Sequence, residues 1–352
     1  MTVLEETCGR ILAVDEAMAL CVQERLDAKT KPRRSLGRLE DLACRLAAMR
    51  GIDDSEPLAK AIVVMGADHG VAAEGVSAYP QAVTRQMLLN FARGGAAINV
   101  LARHVGARVL VVDMGVTAPL PALAEVRAER IGPGTRNFTQ GSAMSRAEAG
   151  DAVEVGIQIA AQLADDGVGL IGIGDMGIGN TTAASALTAA LTGASPVTVT
   201  GRGTGVDDDG LRRKIDVITR ALAINHPDPA DALGVLAQLG GFEIAGLTGV
   251  VLGAAARRVP IVLDGFITGA AALVATRLAP RAAAYLIASH LSVEGGHRIL
   301  LEDLGLRPLL DLDLRLGEGT GAALAMHLID AARRILAEMA TFEAAGVSDS
   351  GA

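Results

Sequence analysis

The sequence predicts an α/β protein with a doubly wound, mostly parallel, Rossmann-like sheet and a smaller helical domain built from the N- and C-terminal segments. Short runs rich in β-branched residues alternate with longer patterns rich in alanine and leucine. The short runs are continuously apolar, which is typical of strands covered by helices on both faces. The two ends of the chain, by contrast, contain helical patterns without such runs.

The N-terminal segment is expected to be helical. In LEDLACRLAAM, Leu39, Leu42, Ala43 and Leu46 recur at helical spacing. The strands are then predicted, in order, at AIVVM from Ala61, RVLVVD from Arg108, VGLIGIG from Val168, IVLD from Ile261 and YLIAS from Tyr285.

A long last helix follows the glycine-rich segment RLGEGTG. Its spacing predicts one apolar face made of Leu324, His327, Leu328, Ala331 and Ile335. The chain is therefore expected to divide into a small helical domain (1–58 with 322–345), a large α/β domain (59–321) and a frayed tail (346–352).

Composition excludes several classes of partner. The net charge of -8 disfavours a nucleic-acid partner, because phosphates require a basic face. Aromatic residues make up only 2% of the chain, which leaves few platforms for stacking bases. The most apolar stretch, VPIVLDGFITGAAALVAT, is interrupted by Asp264, so a membrane helix is not expected. No signal-peptide pattern and no CxxC pair occurs. A cytoplasmic protein with free thiols is predicted.

Polar residues follow or end all five predicted strands. Asp68 and His69 follow the first, Asp113 ends the second, Asp175 follows the third, Asp264 ends the fourth, and Ser289 and His290 end the fifth. Ligands of open α/β sheets bind at the carboxyl ends of the strands. The pattern therefore predicts a site there, although each such residue also suits a helix cap.

The segment GIGDMGIGNTT follows a predicted strand and opens a helix. Gly172, Gly174 and Gly177 have the GxGxxG spacing of dinucleotide sites, but no acidic residue stands about twenty positions later to bind the ribose, which disfavours that interpretation. The second half of the segment fits a phosphate, because glycines expose N–H groups at a helix N-terminus. A plain helix cap is the alternative. This half contains Gly177, Gly179, Asn180, Thr181 and Thr182.

A second glycine-rich loop, TGRGTGVDDDGLRRKIDVI, contains Gly203 and leads to Lys214. Lys214 is either a phosphate ligand or part of a solvated face. The acidic run 207–209 suits a helix N-terminus without a metal, so no metal is predicted. The six histidines show no metal-binding spacing, and no serine or cysteine nucleophile motif occurs. A carboxylate is left as the candidate catalyst, and Glu318 stands in the glycine-rich turn RLGEGTG.

Five motifs together resemble the nicotinate-nucleotide–dimethylbenzimidazole phosphoribosyltransferase family. They are ADHGVAAEGVSAYP, MGIGNTT, GGFEIAGLTGVVLGAA, LDGFITGAAAL and RLGEGTGAALA, and the similarity runs from Lys31 to Ala332. The resemblance implies transfer of a phosphoribosyl group from nicotinate mononucleotide to 5,6-dimethylbenzimidazole, with inversion at C1′. It also implies a homodimer, small-molecule substrates and no cofactor.

The resemblance also implies roles for individual residues. Glu318 matches the general base, and Asp175 is a candidate auxiliary carboxylate. The residues expected to bind phosphate or ribose are Gly177, Gly179, Asn180, Thr181, Thr182, Gly203, Lys214, Asp264 and Ser292. The residues expected to face the base are Tyr79, Gln86, Met87, Leu316 and Gly317.

The chain departs from the family pattern at two places. Asp175 stands where many relatives have glutamate, and Arg33 and Arg34 replace a Pro-Gly pair before Ser-Leu-Gly. Two other functions stay open at this point. An NAD(P)-dependent oxidoreductase rests on the GxGxxG spacing. A non-catalytic nucleotide-sensing protein of the same fold would make Glu318 dispensable.

Overall fold

The computed structural model describes residues 2–52 and 57–348. Six parallel strands form one sheet in the order β3-β2-β1-β4-β5-β6. The order reverses between β1 and β4, and open α/β sheets bind ligands beside such a reversal. The strands are β1 (Ala59–Ala67), β2 (Ala107–Gly115), β3 (Val126–Ala128), β4 (Val168–Met176), β5 (Ile261–Leu263) and β6 (Leu286–Ala288).

All five predicted strands are confirmed, and the sheet is wholly parallel. The edge strand β3 was not predicted. It has three residues with Arg127 in the middle, so no continuous apolar run marks it in the sequence. In the sheet it pairs with β2.

Fifteen α-helices lie within the two described ranges, together with 3₁₀ turns at Gly70–Glu74 and Pro280–Tyr285. The helices are α1 (Val3–Arg10), α2 (Glu16–Asp27), α3 (Arg38–Arg50), α4 (Ala82–Ala92), α5 (Ala97–His104), α6 (Arg146–Asp165), α7 (Asn180–Thr192), α8 (Pro196–Val199), α9 (Asp208–Asn225), α10 (Ala232–Leu239), α11 (Phe242–Ala256), α12 (Phe266–Leu278), α13 (Gly295–Asp303), α14 (Thr320–Glu338) and α15 (Phe342–Ala345). None of these helices is long and apolar enough to cross a membrane.

Helices cover both faces of the sheet. A Cβ built on Gly66 of β1 would meet Leu88 of α4, whereas a Cβ built on Gly246 of α11 would meet Met65 of β1. Successive residues of a strand point to opposite faces, so α4 and α11 lie on opposite sides of the sheet. A Cβ on Gly172 of β4 would approach Met326 of α14 at 2.9 Å. Gly172 pairs with Ile62 of β1, which lies four residues before Gly66 and therefore points to the same face of the sheet. Helix α14 thus lies on the same side of the sheet as α4.

Helices α2, α3 and α14 pack against one another. The predicted helical spacing in α3 is confirmed, since Leu42, Ala43 and Leu46 are buried. An isolated β-bridge between Lys29 and Thr341 further joins the two ends of the chain. The division into two domains stays a prediction.

The residues predicted to form one apolar face of the last helix lie beside its buried face, although Leu328 and Ile335 pack against the core. The buried residues of α14 include Ala322, Ala325, Ile329 and Ala332, whereas Leu324 and its predicted companions are partly or fully exposed. The reason is the close approach of α14 to β4, where Ala322 and Met326 pack against Gly172. The helix also ends at Glu338, and 342–345 form the separate helix α15. Of the predicted frayed tail, 349–352 lie outside the described residues.

Candidate active site

A pocket opens at the carboxyl ends of β4, β5 and β6, as the polar strand ends predict. Its wall consists of residues 175–178, 180–181, 203–204, 265–267, 290, 292, 294 and 315–317. Asp113 does not join it. That carboxylate accepts hydrogen bonds from the backbone N–H groups of Gly115 and Val116 and pairs with Arg130. Of the predicted strand-end residues, Asp175 and His290 line the wall, whereas Asp68, His69, Asp264 and Ser289 do not, and Asp113 holds a separate loop.

The GxGxxG spacing does not form a dinucleotide loop. Gly172 and Gly174 lie inside β4, where any Cβ would meet α14 or the turn that precedes it. Because these two glycines have no side chains, the strand and the helix can pack closely. Of the three glycines in the spacing, Gly177 is the one that belongs to the loop after the strand. A Cβ at Gly177 would lie 2.7 Å from the Ala67 carbonyl oxygen, so this loop passes tightly over the end of β1.

The loop delivers the N-terminus of α7 to the pocket. Gly179, with φ of +99°, is the residue that begins the helix, and Asn180 and Thr181 line the wall. Among the described residues, no side chain of the loop caps the helix, and the Asn180 side-chain Nδ2 instead donates to Asp175 Oδ2 at 2.8 Å. The helix N-terminus still favours an anion through its dipole.

Lys214 supplies the cation beside this helix end. Its side chain is fully buried and Nζ donates to Thr181 Oγ1 at 2.9 Å, so it does not belong to a solvated face. A Cβ on Gly203 would lie 2.8 Å from Nζ, which explains the glycine. Burial lowers the pKa of Lys214 to about 8, against the opposing effect of the Glu294 carboxylate. The ammonium group is therefore predominantly charged at pH 7 and can meet a phosphate.

The acidic run before Lys214 acts at the start of α9. Asp207 accepts a hydrogen bond from Gly210 N at 2.8 Å as the N-cap, while Asp208 and Asp209 pair with Arg202 and Arg212. Across residues 2–52 and 57–348, no group of three or more His, Cys, Asp or Glu side chains is arranged to hold a metal ion.

Asp175 lies at the end of β4 with its carboxyl group buried in the pocket wall. Oδ2 accepts from Asn180, while Oδ1 is buried and has no partner among the described residues. Burial and the nearby carboxylates of Asp264 and Glu243 raise the pKa of Asp175 well above its usual value. The environment therefore favours the neutral acid, which can donate as well as accept a hydrogen bond.

Glu318 sits in a left-handed turn on top of β4. Gly317, Glu318 and Gly319 have φ of +82°, +65° and +92°. Such a conformation costs a non-glycine residue on the order of 1–3 kcal/mol, so the surroundings must hold it. Glu318 N donates to the Asp175 carbonyl at 3.3 Å. A Cβ on Gly174 would lie 2.4 Å from Gly319 N, which shows how closely the turn rests on the strand.

Asp264 holds the same turn from the neighbouring strand. Its carboxylate accepts hydrogen bonds from Gly319 N at 2.9 Å, Gly321 N at 2.6 Å and Ala322 N at 3.3 Å. Burial raises its pKa to about 7, although these three hydrogen bonds favour the charged form. Both oxygens are used at the start of α14 and the side chain is not on the pocket wall. Its predicted contact with phosphate or ribose stays a prediction.

The Glu318 carboxylate itself is nearly buried, with 5% of the residue exposed. Oε2 lies 3.4 Å from Ile98 N in the first turn of α5, a weak hydrogen bond. Burial raises the pKa of Glu318, and the Ile98 N–H partly offsets this shift. A carboxylate with a raised pKa is a stronger base. Gly317, one residue away, lines the pocket.

The residues expected to face the base fall into two groups. Leu316 and Gly317 line the pocket. Tyr79 and Gln86 are exposed and Met87 is half-buried, and none of the three is on the pocket wall. Their segment does touch the site, because Thr84 Oγ1 accepts from Ile178 N at 3.1 Å and Ser77 contacts Thr204. Contact between the base and these three residues stays a prediction.

The remaining residues that are predicted to bind phosphate or ribose lie around the same loop. Ser292 lines the pocket, and its backbone N–H donates to His297 Nδ1 at 2.9 Å. Thr182 is fully buried in α7, with Oγ1 unpaired among the described residues. The structure therefore brings Asp175, the 177–182 loop, Gly203, Lys214, Ser292 and the 316–318 turn to one edge of the sheet.

Sequence reasoning missed a buried pair beneath the phosphate loop. His69 Nε2 and Glu243 Oε1 are 2.6 Å apart, and both side chains are fully buried. A Cβ on Gly177 would lie 3.1 Å from Glu243 Oε1. The available signal was Glu243 itself, the one charged residue in the otherwise apolar helix α11, since a buried carboxylate requires a partner.

Two further pocket residues were not among the predicted ligands. His290 lines the wall, and burial lowers its pKa to about 4, so it is neutral at pH 7. Glu294 also lines the wall and is 6% exposed; its Oε1 accepts from Gly203 N at 2.9 Å. No spacing in the sequence marks Glu294, because its contacts are with a loop 91 residues earlier.

Comparison with known proteins identifies the family. A phosphoribosyltransferase family model matches residues 11–347. The nicotinate-nucleotide–dimethylbenzimidazole phosphoribosyltransferases of Roseiflexus sp. (strain RS-1) and Chloroflexus aggregans are 59% and 57% identical to the chain, over 99% of each sequence. The crystal structure of CobT from Thermus thermophilus superposes with a TM-score of 0.91 at 52% identity, covering 95% of this chain and 100% of that one. The chain belongs to the nicotinate-nucleotide–dimethylbenzimidazole phosphoribosyltransferase family.

Proposed function

We propose that the protein transfers the 5-phosphoribosyl group of nicotinate mononucleotide to 5,6-dimethylbenzimidazole, giving α-ribazole 5′-phosphate and nicotinate for cobalamin biosynthesis. One observation carries the proposal. A buried carboxylate of raised pKa, Glu318, stands on the turn that follows the wall residue Gly317, and Lys214 contacts the wall residue Thr181 at the N-terminus of α7. The names of the relatives support these substrates.

The reaction needs a base at one end of the pocket and an anion site at the other. The phosphate of the donor is bound by the α7 N-terminus and the Lys214 ammonium group. One ring nitrogen of the benzimidazole attacks C1′ as the C1′–N bond of the nucleotide breaks, and the bonding electrons neutralise the pyridinium ring that leaves as nicotinate. The proton on the other ring nitrogen passes to Glu318. Attack opposite the leaving group inverts C1′, from a β- to an α-nucleotide.

Asp175 suits an accessory role on the wall between these two ends. Its backbone carbonyl accepts from Glu318 N, and its buried carboxyl group favours the neutral form. A neutral acid next to the pocket can donate a hydrogen bond without repelling the charge on Glu318.

The alternative functions lack support. The oxidoreductase hypothesis required a dinucleotide loop, but two of its three glycines lie inside β4. A non-catalytic nucleotide sensor would not require a carboxyl group of raised pKa such as that of Glu318. We also infer from the resemblance a homodimer with no cofactor and the two-domain division given above, and from the composition a cytoplasmic protein with no nucleic-acid or membrane partner. Analytical ultracentrifugation of the purified protein tests the dimer.

The deciding experiment incubates the protein with nicotinate mononucleotide and dimethylbenzimidazole and measures α-ribazole 5′-phosphate by chromatography. Glu318→Gln should lower kcat by about 10²–10⁴-fold, the contribution typical of a general base, while the nucleotide still binds. Glu338→Gln, an exposed carboxylate at the far end of the same helix, is the matched control. Absence of product with the wild-type protein rejects the function, and full activity of Glu318→Gln rejects the mechanism.

A further inference from the structure

The pocket wall contains a buried carboxylate, Glu294, that takes no part in the proposed mechanism. Glu294 precedes α13 and is 6% exposed. Its Oε1 accepts from Gly203 N at 2.9 Å, whereas Oε2 is buried and has no hydrogen-bond partner among the described residues. Burying an unpaired carboxylate oxygen is costly, so such an atom in a pocket wall indicates a ligand that donates to it.

The surrounding loop is shaped around this carboxylate. A Cβ built on Gly201 would lie 2.1 Å from Glu294 Oε2, so any larger residue at 201 would displace the oxygen. Glu294 Oε1 is held by its hydrogen bond from Gly203 N. Gly203 also lies close to Lys214 Nζ, since a Cβ built on this glycine would be 2.8 Å from that atom. Glu294 is thus held next to the proposed phosphate site, and its charge acts on Lys214.

The chemistry of the donor nucleotide identifies the group that Oε2 accepts. A phosphate dianion and a nicotinate carboxylate offer only acceptors, and the pyridinium ring has no N–H. The two secondary hydroxyls of the ribose are the only hydrogen-bond donors on nicotinate mononucleotide. They lie a few bonds from the 5′-phosphate, within reach of a carboxylate beside the phosphate site. A carboxylate at this place would otherwise repel the phosphate.

We propose that Glu294 is the residue that recognises the ribose, accepting a hydrogen bond from the 2′- or 3′-hydroxyl and selecting ribonucleotides over deoxyribonucleotides. The proposal rests on the phosphoribosyl transfer proposed above. A site that hydrogen-bonds a substrate hydroxyl rejects an analogue lacking it, because the buried carboxylate is then left unpaired. Glu294 is in this sense a specificity residue rather than a second base.

The test compares kcat/KM for nicotinate mononucleotide with that for its 2′-deoxy and 3′-deoxy analogues. In the wild type, the analogue lacking the contacted hydroxyl should react about 10- to 100-fold less efficiently, the range of one charge-assisted hydrogen bond. Glu294→Ala should lose a similar factor on the ribonucleotide and change less than about threefold on that analogue. Glu294→Gln, which can retain the bond to Gly203 N, should fall between. Glu302→Ala, an exposed glutamate on α13, is the control and should behave as wild type.

The outcomes separate recognition from support of the loop. If Glu294→Ala lowers kcat/KM equally for all three substrates, Glu294 only supports the Gly203 loop and the proposal is overturned. Equal use of the three substrates by the wild type overturns it as well. If the wild type forms no product at all, the proposed function fails. Calorimetric binding of ribose 5-phosphate against its 2- and 3-deoxy forms then decides the role of Glu294, with loss of the preference in Glu294→Ala expected.

Discussion

The pKa of Lys214 leads to a pH dependence that an ordinary lysine would not show. Its ammonium group is fully buried against Thr181, and burial lowers its pKa to about 8. Deprotonation of this group removes the positive charge that contacts the α7 N-terminal turn. We therefore expect kcat/KM for nicotinate mononucleotide to fall as the pH rises through 8, because kcat/KM reports the ionisation of the free enzyme.

The magnitude follows from the titration curve. With a pKa of about 8, the ammonium form makes up roughly 90% at pH 7 and roughly 10% at pH 9, so kcat/KM should fall about tenfold between these values. A lysine of ordinary pKa near 10.4 would stay more than about 90% charged at pH 9 and produce almost no change. The sign is clear, since a lowered lysine pKa moves the loss of charge to lower pH.

The assay measures initial rates of α-ribazole phosphate formation at low nucleotide concentration between pH 6.5 and 9.5. Nicotinate riboside, which lacks the phosphate, is the matched substrate and should show no fall near pH 8. Lys214→Arg keeps its charge throughout and should flatten the high-pH limb, even if its activity is lower. A flat wild-type profile to pH 9.5, or an equal fall with the riboside, would refute a phosphate contact by Lys214.

Two further expectations concern the groups that hold the site. Gly174→Ala places a Cβ 2.4 Å from Gly319 N, so it should displace the Glu318 turn and lower kcat about 10²-fold. The far-UV circular dichroism spectrum should stay unchanged. Gly9→Ala, with open space around its Cβ, is the control. Glu243→Gln removes the charge from the buried contact with His69 and should lower the free energy of unfolding in urea by about 1–3 kcal/mol; an unchanged midpoint would contradict this.

Sequence periodicity predicts those parts of this fold in which one physical effect dominates. The five short apolar runs are strands because burial on both faces requires such runs, and α3 buries Leu42 and Leu46 as its spacing predicts. The last helix shows the limit. Ala322 and Ala325 have helical spacing, and so do Leu324 and Leu328, so the sequence allows either face of the helix to be buried. Which face is buried depends on how closely α14 approaches β4, and this is a tertiary property.

The site shows the same division. The loop 177–182 and the 316–318 turn are recognisable because local glycines, helix starts and family motifs mark them. Lys214 was ambiguous, because a lysine beside two arginines resembles a solvated face until the neighbouring loop is seen to bury it. The pairing of His69 with Glu243 and the role of Glu294 were not predicted, because each depends on a partner far away in the chain. Contacts between distant residues leave no period in the sequence.

The turn that carries Glu318 also has a consequence for the order of events as the chain folds. Ile98, which contacts its carboxylate, precedes it by 220 residues, and Asp264 precedes the Gly321 amide that it caps by 57. Closing such long loops costs entropy, so we expect these contacts to form after the local helices. In refolding experiments, catalytic activity should therefore return after the helical signal, and a nascent chain should position Glu318 only once its last long helix has been synthesised.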